Sequence, residues 1–283
     1  MKDDKREDIP HRRFFAAVGD VHGHFRLMVE LLQIAEKKLG ASLEFVLQVG
    51  DFEPVRHESD LSSVAAPAKY LHMGDFPDVL SGQVTFPWPV HFIGGNHEPY
   101  ALLETMPLGG EIVPNCHYLG RVGVKNIGGL QVAGLTGIFS QLNHDKSRPP
   151  LTNMSTASKK RWTYFNKGDV ERLEQTTQQP VDVLLLHDWP QGVVTTENVE
   201  ALQRHNPRIA IDGVGNAVGS ALAKTLSPQL VLCGHMHIAH SAVLPGKDGR
   251  EVPVRCLASV QERMEAIAVF EVDADGMITE CRL

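Results

Sequence analysis

Short apolar runs recur along the chain, and most stop abruptly at a small or polar residue. FFAAVGD (14–20), LEFVLQVGD (43–51), VHFIGGN (90–96), LQVAGLTG (130–137), VDVLLLHD (181–188) and LVLCGHMH (230–237) have the length and apolar content of buried strands. Residues 24–39 carry Phe25, Met28, Leu31, Leu32 and Ala35 at helical spacing, which predicts an amphipathic helix. Residues 216–226 form a second helical pattern. Further on, 239–244, 252–257 and 265–272 succeed one another with the turn residues PGKDG and DADG among them, which predicts antiparallel hairpins. Strand and helix in alternation, followed by hairpins, predict an α/β (α+β) fold: two mixed β-sheets packed face to face with flanking helices.

Residues 1–13 are polar and read as a flexible N-terminal segment, leaving 14–283 as one domain. The least regular stretch is 139–167, which is long and polar and contains Pro149–Pro150. It holds Lys146, Arg148, Lys159, Lys160 and Arg161, with Trp162, Tyr164 and Phe165 nearby. Basic residues interleaved with aromatics suit a substrate-recognition loop for single-stranded nucleic acid. A solvated loop with an aromatic anchor in the core fits the same residues.

A chain of 283 residues buries a full core without staples, and 42% hydrophobic with 22% charged residues is an ordinary soluble composition. The net charge of −7 argues against a broad, sequence-blind grip on nucleic acid. It leaves room for a local basic groove, and bound cations would reverse the local sign. The four cysteines form no CxxC pair, which predicts reduced thiols and a cytoplasmic protein. The charged start has no apolar core of a signal peptide, and no apolar run reaches the ~18 residues of a membrane span. The sequence assigns no oligomeric state.

Five of the strand-like runs end in metal-ligand chemistry: Asp20-Val21-His22-Gly23-His24, Gly50-Asp51, Gly94-Gly95-Asn96-His97-Glu98, His187-Asp188 and Gly234-His235-Met236-His237. In open α/β sheets ligand sites lie beyond the carboxyl ends of strands, so these residues are expected on one rim. Asp20 and His22, like His235 and His237, are two apart and share a direction if the backbone is extended. Asp51 has two oxygens and can bridge two cations. Asn96 adds a neutral carbonyl oxygen. Imidazole with carboxylate suits zinc, iron or manganese better than calcium. One such residue alone carries little, but five in this order are a strong signal.

The series D-x-H, G-D, G-N-H-[DE], H, G-H-x-H resembles the calcineurin-like binuclear metallophosphoesterases. That resemblance implies a four-layer sandwich with two divalent metal ions (Mn, Fe or Zn). It implies one ion held by Asp20, His22, Asp51 and His237, and a second by Asp51, Asn96, His187 and His235. It also implies His97 beside the phosphate as general acid or hydrogen-bond donor, and attack by a metal-bridged hydroxide. GDFEPVR (50–56), KYLHMGDF (69–76), HDWPQG (187–192) and GNAVGSALAKTLSPQLVLCGHMH (215–237) are similar to the RNA lariat debranching enzyme family over roughly residues 14–260. That likeness implies a phosphodiesterase acting on RNA or a nucleotide. The debranching family carries Cys where this chain has Asp20, and usually AHLH where it has GHMH, so Asp20 follows the broader phosphoesterase pattern.

Arg56 and His24 are candidate substrate-binding residues, with a surface arginine in a charged loop as the plain alternative for Arg56. Asp188 is expected either to orient a histidine or to cap a turn. A phosphomonoesterase, of the Ser/Thr phosphatase or dinucleoside polyphosphate hydrolase kind, is the alternative activity, because GDVHGH resembles those enzymes too. They usually add arginines that grip a terminal phosphate, and no second clear one is present.

Overall fold

The computed structural model describes residues 12–153 and 158–283. Most of the segment read as a flexible N-terminus, up to residue 11, therefore lies outside the described residues, as do 154–157 of the 139–167 stretch. The strands are β1 (Arg13–Val18), β2 (Phe45–Gln48), β3 (Val90–Phe92), β4 (Gly110–Val113), β5 (Cys116–Tyr118), β6 (Val122–Ile127), β7 (Leu130–Leu135), β8 (Val183–Leu186), β9 (Leu230–Cys233), β10 (His240–Pro245), β11 (Glu251–Cys256), β12 (Ile267–Val272) and β13 (Ile278–Glu280). They form a seven-stranded sheet, β13-β12-β1-β2-β3-β5-β4, and a six-stranded sheet, β10-β11-β9-β8-β7-β6. Both are mixed: β1, β2, β3 and β5 run parallel in the first, and β7, β8, β9 and β11 in the second.

Two-residue periodicity splits each central strand between two cores. Phe15 and Ala17 of β1 join Phe45, Leu47, Val132, Val183, Leu185, Leu230 and Leu232 between the sheets. Phe15 stacks on Phe45 and on Phe270, each at 5.1 Å between ring centres. Ala16, Val18 and Val46 turn the other way, onto Phe25, Met28, Leu31 and Leu32 of the helix Phe25–Leu39. On the far side, Leu184, Leu186, Val231 and Cys233 pack with Leu222 and Ala223 of the helix Ala217–Leu226. The result is helix, sheet, sheet, helix, with about 1.5–3 kcal/mol gained for each large apolar side chain fully removed from water.

Local signals end the helices. The helix Phe25–Leu39 carries Lys37 and Lys38 in its last turn and stops at Gly40 with φ 72°. The helix Ala217–Leu226 starts where the Asn216 side chain accepts the Gly219 N–H at 2.7 Å.

The hairpin expectation is half corrected. β10 and β11 pair antiparallel, but β12 does not return on β11. It crosses to the other sheet, pairs antiparallel with β1 and makes its hairpin with β13. The cause is in its residues: Ile267, Ala268, Val269, Phe270 and Val272 are all buried, so β12 needs cover on both faces. Strands β4, β5, β6 and β13 leave no apolar run in the sequence, being short or, in β6 and β13, partly solvated. In 139–167, Trp162 packs in the core beside the first sheet and Phe165 in that of the second. The stretch leads into a helix, Lys167–Thr176, closed by a capping box of Asn166 and Asp169. Among the described residues no helix is long and apolar enough to cross a membrane.

Candidate metal centre

The loops that leave β1, β2, β3, β8 and β9 meet on one rim, and their backbones are held in unusual shapes. His22, Asp51, Glu53, His235 and His237 all have left-handed φ, at 47°, 50°, 57°, 69° and 55°. Each such non-glycine residue costs about 1 kcal/mol or more, a cost that surrounding structure must over-determine. Cross-loop bonds supply that: Val21 and His22 donate their N–H groups to the Asp51 carbonyl at 3.0 and 2.8 Å. The extended-backbone expectation for the two D-x-H and H-x-H pairs is therefore corrected. Turns, not alternation, aim the side chains, and His235 and His237 go to different groups.

Two glycines are dictated by approach. A Cβ on Gly95 would lie 2.7 Å from His187 Nε2 and closer still to Asp51 Oδ1. A Cβ on Gly234 would collide with Asp20 Oδ1.

Asp20, His22 and His237 form one donor group and Asp51, His187 and His235 another, the ligand atoms of each within 4.8 Å of one another. In the first, His237 Nε2 is 3.0 Å from both Asp20 Oδ2 and His22 Nε2. In the second, His187 Nε2 is 3.4 Å from Asp51 Oδ2 and 3.2 Å from Asn96 Oδ1. Asp51 Oδ2 is also 3.9 Å from His22 Nε2, so this carboxylate stands between the groups. His97 donates its backbone N–H to Asp51 Oδ1 at 2.7 Å, and its ring meets the His22 ring edge-on at 5.5 Å.

The charges at the centre act closely on one another. Asp20 and Asp51 are buried, at 0% and 2% exposure. Burial raises the Asp51 carboxyl, but His187, His97 and His22 outweigh it and hold it well below the usual range. Asp20 is likewise lowered against burial, by His187 and His237. Burial disfavours charge on His187, yet Asp51 and Asp20 push it up to about 10. His22 goes up to about 9, through Glu53, Asp51 and Asp20 acting against burial. His235 moves down, by burial and repulsion from His187. Protons on imidazole balance the carboxylates here, and divalent cations would meet the same demand with better-matched donors. Buried carboxylates, converging imidazole nitrogens and an amide oxygen fit zinc-, iron- or manganese-type chemistry.

A supporting shell was missed in the sequence. His187 Nδ1 donates to the Val49 carbonyl at 2.9 Å, and His22 Nδ1 bonds Glu53 Oε1 at 2.8 Å, leaving both Nε2 atoms facing the donor groups. The fully buried Glu98 accepts N–H bonds from Phe52, Glu53 and Gly95 at 2.9, 2.9 and 3.0 Å, tying two ligand loops together. Burial and Asp51 push its carboxyl up to about 7 against those donors. Gln48 bonds Gly19 and Gly50. Glu98 stands inside the G-N-H-E run and Glu53 inside GDFEPVR, but neither motif announces a supporting role for its glutamate.

The remaining candidates have partners of their own. Arg56 is tied to Asp60 through Nε and Nη2 at 3.0 and 3.1 Å, closing the turn Glu58–Ser63. His24 accepts from the Gln261 amide at 2.9 Å, near the His72 ring. Asp188 binds the Phe139 N–H and the Asn216 amide, so its bonds fix loops and not a histidine. A cleft of about 580 Å³ adjoins the centre, lined by Asn96, His97, Ala65 to Ala68, Ile138, Lys159, Lys160 and Tyr164. A second, of about 710 Å³ around Arg255, Glu280 and Arg282, shares no residue with either donor group.

Known proteins resemble this chain. Lariat debranching enzyme of Entamoeba histolytica is 35% identical over 240 residues, 83% of this chain and 66% of that protein. The lariat debranching enzymes of Drosophila melanogaster and Homo sapiens are 35% and 28% identical, with 81% and 92% of this chain aligned to 44% and 49% of theirs. The chain thus spans from under half to about two thirds of the length of these relatives. Among solved structures, the protein TT1561 of Thermus thermophilus has the same fold at a TM-score of 0.52 and 13% identity, over 95% of this chain and 98% of that one. Residues 15–239 match the calcineurin-like phosphoesterase family. The chain, by that match and by the loops that carry it, belongs to the calcineurin-like phosphoesterases.

Proposed function

We propose that this chain is a binuclear metal-dependent phosphodiesterase that acts on RNA or a related nucleotide substrate. The observation that carries the proposal is the position of Asp51, one carboxylate within reach of both donor groups. Asp20, His22, Asp51 and His237 would hold one divalent ion, and Asp51, Asn96, His187 and His235 the other, with manganese, iron or zinc suited to the donors. When bound, such a pair supplies Lewis-acid charge to the phosphoryl oxygens and lowers the pKa of the attacking water.

The chain's own residues do the rest. His97 lines the cleft next to Asn96, where its ring can donate to a phosphate oxygen or to the departing oxygen. Its backbone bond to Asp51 holds the main chain that carries that ring beside the donor groups. Lys159 and Lys160 bring positive charge to the cleft, and Tyr164 brings an aromatic face, a combination that tracks a phosphate backbone and stacks a base. Likeness to proteins named lariat debranching enzyme favours RNA as the substrate class.

The test is a substrate panel with defined metals. The protein is expected to cleave bis-p-nitrophenyl phosphate and RNA in preference to p-nitrophenyl phosphate, and 2′,5′- and 3′,5′-linked RNA read its linkage preference. Preference for the monoester would overturn the diesterase proposal in favour of a phosphomonoesterase.

A further inference from the structure

We infer that Glu53 is a positioning residue: its carboxylate selects the one orientation and tautomer of His22 in which the Nε2 lone pair faces Asp20, Asp51 and His237. The inference rests on the cation pair proposed above and goes beyond its set of ligands.

A neutral imidazole has two tautomers, and its ring can sit in two flipped orientations. Only the state with Nδ1 protonated and turned away offers a bare Nε2 to the donor group. Glu53 Oε1 lies 2.8 Å from Nδ1 and accepts that hydrogen. His22 Nε2 then lies 3.0 Å from His237 Nε2, 3.8 Å from Asp20 Oδ2 and 3.9 Å from Asp51 Oδ2. The carboxylate is itself built in. Glu53 is 5% exposed, has a left-handed backbone and gives its N–H to Glu98. The His187 imidazole of the other group is oriented by a backbone carbonyl, that of Val49, which no side-chain substitution removes. The two groups are therefore unequal. The one containing His22 has Glu53 behind it as well as Asp20, and the other leans on the shared Asp51 with neutral Asn96. Removing Glu53 strikes one group alone.

Parent, Glu53→Ala and Glu53→Gln proteins are stripped, then titrated with Mn2+ while bound ions per chain and their affinities are measured by calorimetry and elemental analysis. The parent is expected to bind two ions. Glu53→Ala is expected to keep one at parent affinity and to bind the other about 10- to 100-fold more weakly. Glu53→Gln, whose amide oxygen can accept the same Nδ1–H, is expected to recover most of that loss. Two ions at parent affinity in Glu53→Ala would overturn the inference, and so would equal weakening of both ions, the mark of a mere loop prop. Failure of Glu53→Gln to improve on Glu53→Ala would overturn it too, by assigning the effect to charge and not to orientation. If Glu53→Ala does not fold, Glu53→Gln alone decides: retention of both ions within about tenfold supports the inference, and loss of one overturns it. A parent that binds no metal would sink the proposed function instead, so the two failures are distinguishable.

Discussion

Gly95→Ala probes the centre with a single methyl group. Gly95 is not among the residues with positive φ, so alanine can adopt its backbone and the effect is purely steric. The added Cβ would sit 2.7 Å from His187 Nε2, where ordinary contact begins at 3.4 Å, and closer still to Asp51 Oδ1 and the Asp51 amide. All three contacts must open, and the tightest, to Asp51 Oδ1, needs a shift of about 1.2 Å to reach 3.4 Å, shared between Gly95 and Asp51. Asp51 cannot move freely, because its carboxylate holds the His97 N–H and its carbonyl holds Val21 and His22. Such overpacking costs about 1–3 kcal/mol of stability, which a chain of this size survives. Function suffers more, since a misplacement of about 1 Å at a reacting centre costs on the order of 100-fold. The expected result is a folded protein, by circular dichroism, whose turnover of bis-p-nitrophenyl phosphate falls 10- to 100-fold and whose metal affinity drops. Gly213→Ala, where the Cβ meets Ala210 at an ordinary 3.4 Å, is the control. Parent turnover and two bound ions in Gly95→Ala would refute the packing argument.

Three further outcomes are expected. His97→Ala should keep its metal, by elemental analysis, yet lose at least about tenfold in turnover of an activated diester, and more for a poor leaving group if the ring acts as acid. Replacing Lys159 and Lys160 together with alanine should raise the KM for RNA, flatten its salt dependence and leave bis-p-nitrophenyl phosphate turnover near parent, all read by steady-state kinetics. His91 stacks on His117 at 4.8 Å, and burial, His117 and Lys125 push it down to about 4. A depressed histidine contributes its stability in full above the unfolded value of 6.5 and loses it as the pH falls towards 4, because the unfolded chain takes up a proton that the folded one resists. Urea titrations of His91→Leu across that window should show a shallower pH slope than the parent, and an equal slope would count against the assignment.

What could be read in advance follows physical lines. The central strands were legible because Phe15 with Ala17, and Ala16 with Val18, are apolar on both faces, so the run is unbroken. β6, where the neighbours Lys125 and Asn126 are both exposed, gives no such run, and three-residue β5 is too short to give one. The path of β12 depended on cover that only the assembled sandwich supplies. At the centre, Asp20, His22, Asp51, Asn96, His187, His235 and His237 were nameable because their side chains announce their chemistry at strand ends. The left-handed turns that aim them are hidden, as is the bond of Glu53 to His22, because both reflect contacts between distant loops and no local preference. The pairing of Arg56 with Asp60, four residues along, has no signal in the motif that contains Arg56.

In the proposed centre seven side chains gather two cations about one shared carboxylate. Anomalous diffraction from a manganese-soaked crystal measures this directly. Two peaks per chain are expected, one among Asp20, His22 and His237 and one among Asn96, His187 and His235, with Asp51 touching both and with both weakened in Asp51→Asn. One peak, no peak, or two that persist at full height in Asp51→Asn would contradict it.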